Sequence, residues 1–219
     1  MKNIKGWYLP DWDTHFENLL QQKNYKWEYQ QPQRDYALSF IKEFKTNAID
    51  AGSNIGFWSK ELCEKFNHVY AFEPHPDNLE CYKENLKEFK NYTLYDNAIS
   101  NVTNKELNLY FSPDECGNAS LNDFGIKKLK TIKVKVNKID DYNFDNIGFI
   151  KVDCQSHEKE VIEGSIETIQ KYKPVLCLEL PSRNEKEKDY RNYLVDYLKK
   201  YDYILKGNFK KETLFVYEK

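Results

Sequence analysis

Residues 47–66, NAIDAGSNIGFWSKELCEKF, constrain the fold more than any other stretch of the chain. A short apolar run ends in Asp50, glycines stand at 52 and 56, and Phe57, Leu62 and Phe66 then recur about every four residues. That order reads strand, tight loop, helix. The cycle repeats with HVYAFEP (68–74) as a strand and PDNLECYKENLKEF (76–89) as a helix, and YTLYDNAIS (92–100) reads as a third strand. Later, IGFIKVD (147–153) is a buried strand. EKEVIEGSIETIQKY (158–172) is one amphipathic helix with Val161, Ile162, Ile166 and Ile169 on one side. After Pro174 come the strand VLCLEL (175–180) and the helix YRNYLVDYLKKY (190–201). YILKGNFKKETLFVYE (203–218) reads as a hairpin around Gly207-Asn208. Such alternation predicts an α/β fold, a mostly parallel sheet with helices on both faces, closed by a C-terminal antiparallel hairpin.

Two stretches interrupt the cycle. KELNLYFS (105–112) and TIKVKV (131–136) alternate at period two around a polar Gly117–Leu121 loop, which predicts an antiparallel excursion. Residues 1–35 are irregular and aromatic-rich, and DYALSFIKEF (35–44) has helical spacing. A chain of 219 residues can bury one sizeable α/β core and is too short for two full domains. The expectation is a single domain over 1–219, with 1–35 as a cap segment on a 36–219 core. The 17 Tyr and 13 Phe supply buried area that the modest aliphatic content does not.

Net charge is −2, which gives no overall pull towards nucleic acid or an anionic membrane, although the 33 Lys and Arg leave room for a local basic face. No apolar run approaches the roughly 20 residues of a membrane span, and the N-terminus lacks the apolar core of a signal peptide. Five cysteines, with no C-x-x-C pair and three of them in apolar runs where a free thiol packs as a small hydrophobe, predict a reducing, cytoplasmic setting without structural zinc or disulfides.

The loop DAGSNIG has neither the Gly-Lys-Ser/Thr of a P-loop nor the G-x-G-x-x-G dinucleotide pattern. Asp50 puts a carboxylate at the loop, awkward for pyrophosphate and suited to a ligand with positive charge there. Glu73-Pro74 ends the second strand, where an acid accepts the hydroxyls of a ribose. Asn97-Ala98 follow the third strand, where an amide can read an adenine edge. An acid by an amino group, an acid on a ribose and an amide at a base together describe S-adenosylmethionine. A glycine turn that serves geometry alone is the plainer alternative for each piece taken singly.

AIDAGSNIGFWSKEL, VYAFEPHPDNLECYKENL, LYDNAIS, GNASL, IDDYNFDNIGFIKVDCQSHEKEVIEG and KPVLCLEL stand in the order and spacing of the FkbM family. Over roughly residues 47–180 the chain resembles these class I methyltransferases. GWYLPDWDTHF and YQQPQRDYAL are similar to the N-terminal extension of phage-type and environmental members. The resemblance implies a Rossmann-like, seven-stranded methyltransferase sheet. It implies S-adenosylmethionine held by Asp50, Gly52, Ser53, Asn54, Gly56, Phe57, Glu73, Pro74, Asn97, Ala98 and Asp153. It also implies O-methyl transfer to a sugar, a glycan or another small-molecule hydroxyl.

FIKVDCQSHEKEVIEG (149–164) carries the candidate chemistry. His157-Glu158 begins like H-E-x-x-H, but position 161 is Val, so no metal site is expected. Asp153 ends a core strand beside the cofactor strand and is the leading candidate for the base that takes the acceptor's proton. Glu158 could raise its pKa, and His157 could take the proton itself. Polar dressing of a helix start is the plainer reading for Gln155, Ser156 and Glu158. The family pattern, K-I-D-[V/C]-[E/Q]-G-x-E, has a glycine where this chain has Ser156. A Cβ there is expected to narrow the acceptor pocket. Among the N-terminal rings, Trp7, Tyr8, Trp12, Phe16, Tyr25, Trp27 and Tyr29 are candidates to cap the cofactor, with Asp11, Asp13 or His15 binding hydroxyls. Packing on the sheet edge explains the same rings. Two other functions compete: a non-catalytic S-adenosylmethionine-binding protein, and a nucleic-acid methyltransferase, for which no Asn-Pro-Pro-Tyr-type motif is present.

Overall fold

The computed structural model describes residues 1–22, 29–126 and 128–219. The main sheet consists of β1 (Asn47–Ala51), β2 (His68–Phe72), β3 (Tyr92–Tyr95), β4 (Ile147–Val152), β5 (Val175–Glu179), β6 (Tyr203–Phe209) and β7 (Glu212–Tyr217). Their spatial order is β3-β2-β1-β4-β5-β7-β6. The first five strands are parallel, and β7 is antiparallel to both β5 and β6. Strand order therefore reverses between β1 and β4, and the cleft outside the carboxyl ends of those strands is where open α/β sheets bind ligands.

Seven α-helices accompany the sheet among the described residues: α1 (His15–Gln21), α2 (Gln31–Leu38), α3 (Phe57–Lys65), α4 (Pro76–Asn85), α5 (Glu158–Glu163), α6 (Ile166–Tyr172) and α7 (Glu185–Lys199). Period-two alternation divides each strand between two cores. Ile49, Ile150, Val152, Leu176 and Leu178 pack with Val161, Ile162, Ile169, Leu194 and Leu198 on one face. Ala48, Phe149, Cys177 and Leu214 pack with Leu38, Trp58, Leu62 and Tyr82 on the other. The same alternation sends Asp50, Lys151, Asp153 and Glu179 to this second face, beside Trp58.

The antiparallel excursion is present. Lys105–Phe111 pairs with Lys130–Asn137 in the register Lys105↔Val136 to Phe111↔Lys130, and Ala119–Ser120 adds an edge. Several boundaries differ from the sequence reading; the helix read over 190–201, for instance, spans Glu185–Lys199. YTLYDNAIS is not one strand: β3 stops at Tyr95, and Ala98–Ile99 joins the smaller sheet, parallel to Val136–Asn137. The helix read over 158–172 breaks at Gly164, where a side chain would collide with the Ser100 carbonyl, so α5 and α6 are separate. The hairpin turns at Lys210-Lys211 rather than Gly207-Asn208. Gly207 lies in β6 at a bulge, against the Tyr36 hydroxyl. Finally, the 1–35 stretch is not irregular throughout. It holds a small hairpin (Lys2–Ile4 with Trp7–Leu9), α1, and the start of α2, which ends at Leu38 rather than near residue 44.

Candidate active site

Short parallel strands ending together leave a cavity above β1, β2, β4 and β5, of about 1100 Å³ counting its open mouth. One side is built by the β1 loop. Gly52 (φ 81°) and Gly56 (φ 97°) take left-handed backbone that favours glycine, and the Gly52 and Ser53 amides donate to Phe72 O at 3.0 and 2.9 Å. Glu73 fastens the loop from β2: one carboxylate oxygen accepts from Asn54 N (2.9 Å), the other from His75 N (2.8 Å) and the Asn78 amide (3.3 Å). Burial pushes the Glu73 carboxyl up to about 7, against those hydrogen bonds. Asp50 accepts from Ser59 Oγ at 2.6 Å. Burial raises it to about 6, with Ser59 and the Lys151 charge opposing. Ser53 Oγ lines the cavity, is buried, and has no protein partner.

The other side is the acidic end of β4 and β5. The Val152↔Leu178 pairing brings the next residues along, Asp153 and Glu179, to adjacent strand ends. Gln155 Nε2 donates to both, at 2.9 Å to Asp153 Oδ1 and 3.0 Å to Glu179 Oε2. Lys211 Nζ, from the β6–β7 turn, lies 2.9 Å from Glu179 Oε1. Lys151 is fully buried, 3.6 Å from Asp153 Oδ2 and 4.9 Å from the centre of the Trp58 ring. The two sides meet at Gly52, whose α-carbon lies under the Asp153 carbonyl.

Of the residues chosen from sequence, Asp50, Gly52, Ser53, Asn54, Phe57, Glu73, Pro74, Ala98, Asp153 and His157 line this one cavity. Gly56, Asn97 and Glu158 do not. Gly56 packs its α-carbon against Leu86 and Tyr82, so its role is to seat the loop on α4. The Asn97 amide is spent within the protein, donating to Ala98 O (2.9 Å) and accepting from the Tyr142 hydroxyl (2.8 Å). Glu158 lies behind the 154–156 loop, accepting from Cys154 N (3.1 Å), Ser156 N (3.2 Å) and the Tyr190 hydroxyl (3.3 Å). It holds the loop, and burial pushes it up to about 7. His157 reaches the wall with both ring nitrogens engaged, Nε2 at 3.0 Å from Ser100 Oγ and Nδ1 at 3.4 Å from Asn122 Oδ1. A neutral ring donating from Nδ1 and accepting at Nε2 satisfies both contacts. Burial lowers its pKa in the same direction, with Glu160 opposing. Ser156 does not narrow the pocket: it is exposed, away from the wall, at φ 72°. A left-handed backbone accounts for the family's glycine there.

Glu179, Lys211, Lys151 and Gln155 are wall residues that the motif reading did not select. A signal for Lys151 was available: in IKVD, period two puts it on the same face of β4 as Asp153. Among the described residues, no cluster of three or more His, Cys, Asp or Glu could hold a metal ion. No helix among them is long and apolar enough to cross a membrane.

The N-terminal segment supplies part of the cavity wall. Phe16, Tyr29 and Gln30 line the cavity, and Gln30 accepts from Trp58 Nε1 at 2.6 Å. Trp7 packs on Phe57 with ring centres 4.5 Å apart, and Trp12 Nε1 donates to Asp77 at 2.6 Å. Tyr8 is tied to α4 through Asn85, whereas Tyr25 and Trp27 lie outside the described residues. The candidate hydroxyl binders are used elsewhere: Asp11 pairs with the N-terminal amine and His15 faces Glu115. Asp13 is fully buried, accepting from Phe16 N and Cys116 N at 2.8 Å each. Asp13→Ala strands a buried Cys116 N–H, so urea unfolding should show a loss of about 1–3 kcal/mol. A change within about 0.5 kcal/mol, ordinary for a surface site, would mean Asp13 does not clamp the segment.

Comparison with known proteins follows the same outline. No curated protein sequence matches the chain. Among solved structures, the methyltransferase FkbM from Methylobacillus flagellatus aligns with a TM-score of 0.58 at 19% identity, over 83% of this chain and 48% of that one. The chain thus spans about half the length of that protein. A Streptococcus mutans protein assigned as a methyltransferase, solved in complex with SAH, aligns at TM-score 0.51 and 16% identity, covering 87% and 97% of the two chains. An rRNA methylase from Streptococcus thermophilus aligns at 0.51 and 13%, covering 85% and 95%. At such identities these neighbours establish the Rossmann-like fold of class I methyltransferases. The family model described as the methyltransferase FkbM domain matches residues 50–205, from the acid of the glycine loop into β6. The chain belongs to the FkbM methyltransferase family.

Proposed function

We propose that the chain transfers the methyl group of S-adenosylmethionine to a hydroxyl of a sugar, a glycan or a similar small molecule. The observation that carries this reading is the convergence, in one cavity, of the Asp50–Glu73 loop with the Asp153–Gln155–Glu179 end of the sheet. The residues present fit the cofactor. Ser53 lines the cavity and carries a buried Oγ with no protein partner. Phe72, Ala98 and Ile99 give an apolar wall for a base. Glu73, with three of about four lone-pair sites used, retains room for a ribose hydroxyl. Asp50, partly ionised near neutral pH, would face the amino group. Bound S-adenosylmethionine supplies an electrophilic methyl carbon on a sulfonium.

The protein's part is to align and to deprotonate. Phe16, Tyr29 and Trp58 give flat walls suited to a sugar ring in the same cavity as the carboxyl groups of β4 and β5. Holding the hydroxyl in line with the methyl carbon replaces a bimolecular encounter by a positioned one.

Calorimetric titration with S-adenosylmethionine tests the cofactor half. Binding should tighten as pH rises through about 7, because the ionised Glu73 accepts hydroxyl hydrogen bonds more strongly. Glu73→Gln should weaken binding roughly tenfold and flatten that rise. Unchanged affinity in the variant would put the cofactor elsewhere.

A further inference from the structure

Asp153 and Glu179 are the adjacent acids of the wall, and their surroundings are unequal. Gln155 Nε2 bridges them at 2.9 and 3.0 Å, as an added proton or cation otherwise would. Glu179 has an ammonium at 2.9 Å, Lys211, on the oxygen not used by Gln155. Asp153 has only Lys151, at the longer distance of 3.6 Å. We infer that the two carboxyls work as one unit holding a single proton, in which Glu179 receives the acceptor's proton and Asp153 stays protonated as its hydrogen-bonding partner.

This inference rests on the methyl transfer proposed above. As the acceptor oxygen forms its bond to the methyl carbon, the carbon–sulfur bond breaks and its electron pair stays on sulfur. The O–H electrons remain on the new ether oxygen, and the proton passes to Glu179. The sulfonium charge disappears in the same step, so the site holds one positive charge fewer when the proton arrives. Loss of that charge raises the proton affinity of a carboxylate that is otherwise a weak base. Glu179 later returns the proton to water.

The neighbours act in the same sense. Burial and the Glu179 charge push Asp153 well up, with Lys151 opposing. Burial alone would raise Glu179, but the Asp153 hydrogen bond and the Lys151 and Lys211 charges outweigh it and hold Glu179 down. Other titratable groups face the pair from each packed element: Glu212 on β7, directly opposite Glu179, the neutral Cys177 thiol on β5, and Asp50 on β1 across Lys151. Arg183 acts on Glu179 from the loop before α7. In the resting pair two protons would leave Lys151 and Lys211 undercompensated, and none would set two charges side by side; the second proton enters only as the sulfonium charge is lost.

A carbon-13 NMR titration of the side-chain carboxyls, on the ligand-free full chain, tests the pair without an acceptor. Asp153 should titrate far above the ordinary carboxylate range. In Glu179→Gln it should fall, because the negative neighbour is gone and Lys151 remains. An ordinary Asp153 titration in the parent, or no movement in the variant, overturns the inference. The second arm measures release of S-adenosylhomocysteine with a panel of methyl glycosides. Glu179→Gln should lower kcat by about 10²–10⁴-fold, the usual range for a lost proton acceptor, with KM for S-adenosylmethionine changed only a few-fold. Asp153→Asn, whose amide still donates, should lower kcat less than Glu179→Gln does; the reverse ranking also overturns the inference. No turnover by the parent with any glycoside counts against the proposed reaction instead, and the titration alone then decides the pair.

Discussion

Gly52→Ala should cost about 3 kcal/mol or more of folding stability and should abolish binding of S-adenosylmethionine. Two effects add at this position. Its backbone is at φ 81°, where a side chain costs roughly 1–2 kcal/mol. The added Cβ would also overlap the Asp153 carbonyl oxygen and lie 2.9 Å from the carbonyl carbon. Both are backbone atoms on the neighbouring strand, and overpacking of this kind costs roughly 1–3 kcal/mol. Relief requires moving β1 away from β4, which parts the cofactor acids from Asp153. Gly125→Ala is the internal control: φ is 67°, yet nothing lies within 4 Å of the new Cβ. It should lose only about 1 kcal/mol and keep full affinity. Equal losses in urea unfolding for the two variants would show that the close approach of β1 to β4 contributes nothing.

That approach also marks where reading the sequence succeeds and where it stops. Alternation of strand and helix signals is local, so β1, β2, β4 and β5, their loops and the excursion at 105–136 were all legible. The misplaced boundaries share one cause. Gly164 reads as a tolerable residue inside an amphipathic helix, but its constraint comes from Ser100, far along the chain. Gly207-Asn208 is a turn signal overridden by packing against Tyr36, and the actual turn uses Lys210 at φ 57°. Asn97 ended up serving Tyr142 for the same reason, because the choice among its hydrogen-bond partners is tertiary.

The glycine-loop side of the cavity was legible because its residues are nearly contiguous, Asp50 to Phe57 and Glu73-Pro74. The acceptor side was only half legible. Asp153 could be chosen from its place after an apolar strand, but Glu179 needed the pairing of β4 with β5, and Lys211 needed the hairpin folded back onto β5. His157 and Glu158 are neighbours in sequence with opposite placements. His157 reaches the cavity and Glu158 points behind the loop, a difference set by left-handed backbone at Gln155 and Ser156.

Lys151→Met should separate the charge layer from simple packing. Lys151 is fully buried on β4, paired across the sheet with Asp50 on β1 and Cys177 on β5. Burial alone would lower its pKa, but Asp153, Glu212 and Glu179 raise it further, so the ammonium stays charged. Met keeps most of the volume and removes the charge. Asp153, Glu179, Glu212 and Asp50 then lose the cation that holds each of them down, and breaking such a set costs roughly 3–5 kcal/mol near neutral pH. The sign with pH follows from proton counting. Without Lys151 the folded-state pKa values of Asp153, Glu179 and Glu212 all rise, while the unfolded values do not change. Each such rise costs the variant stability that is fully present above its own folded pKa and vanishes below the parent's, so the deficit grows as pH climbs through the window between those two values. The variant's deficit should therefore be large at pH 8 and shrink towards pH 5, where the carboxyls take up protons in place of the missing cation. Urea unfolding of parent and variant at both pH values measures this. A deficit that is the same at pH 5 and pH 8 would mean that Lys151 acts by filling space against Trp58, and that the acids around it do not depend on its charge.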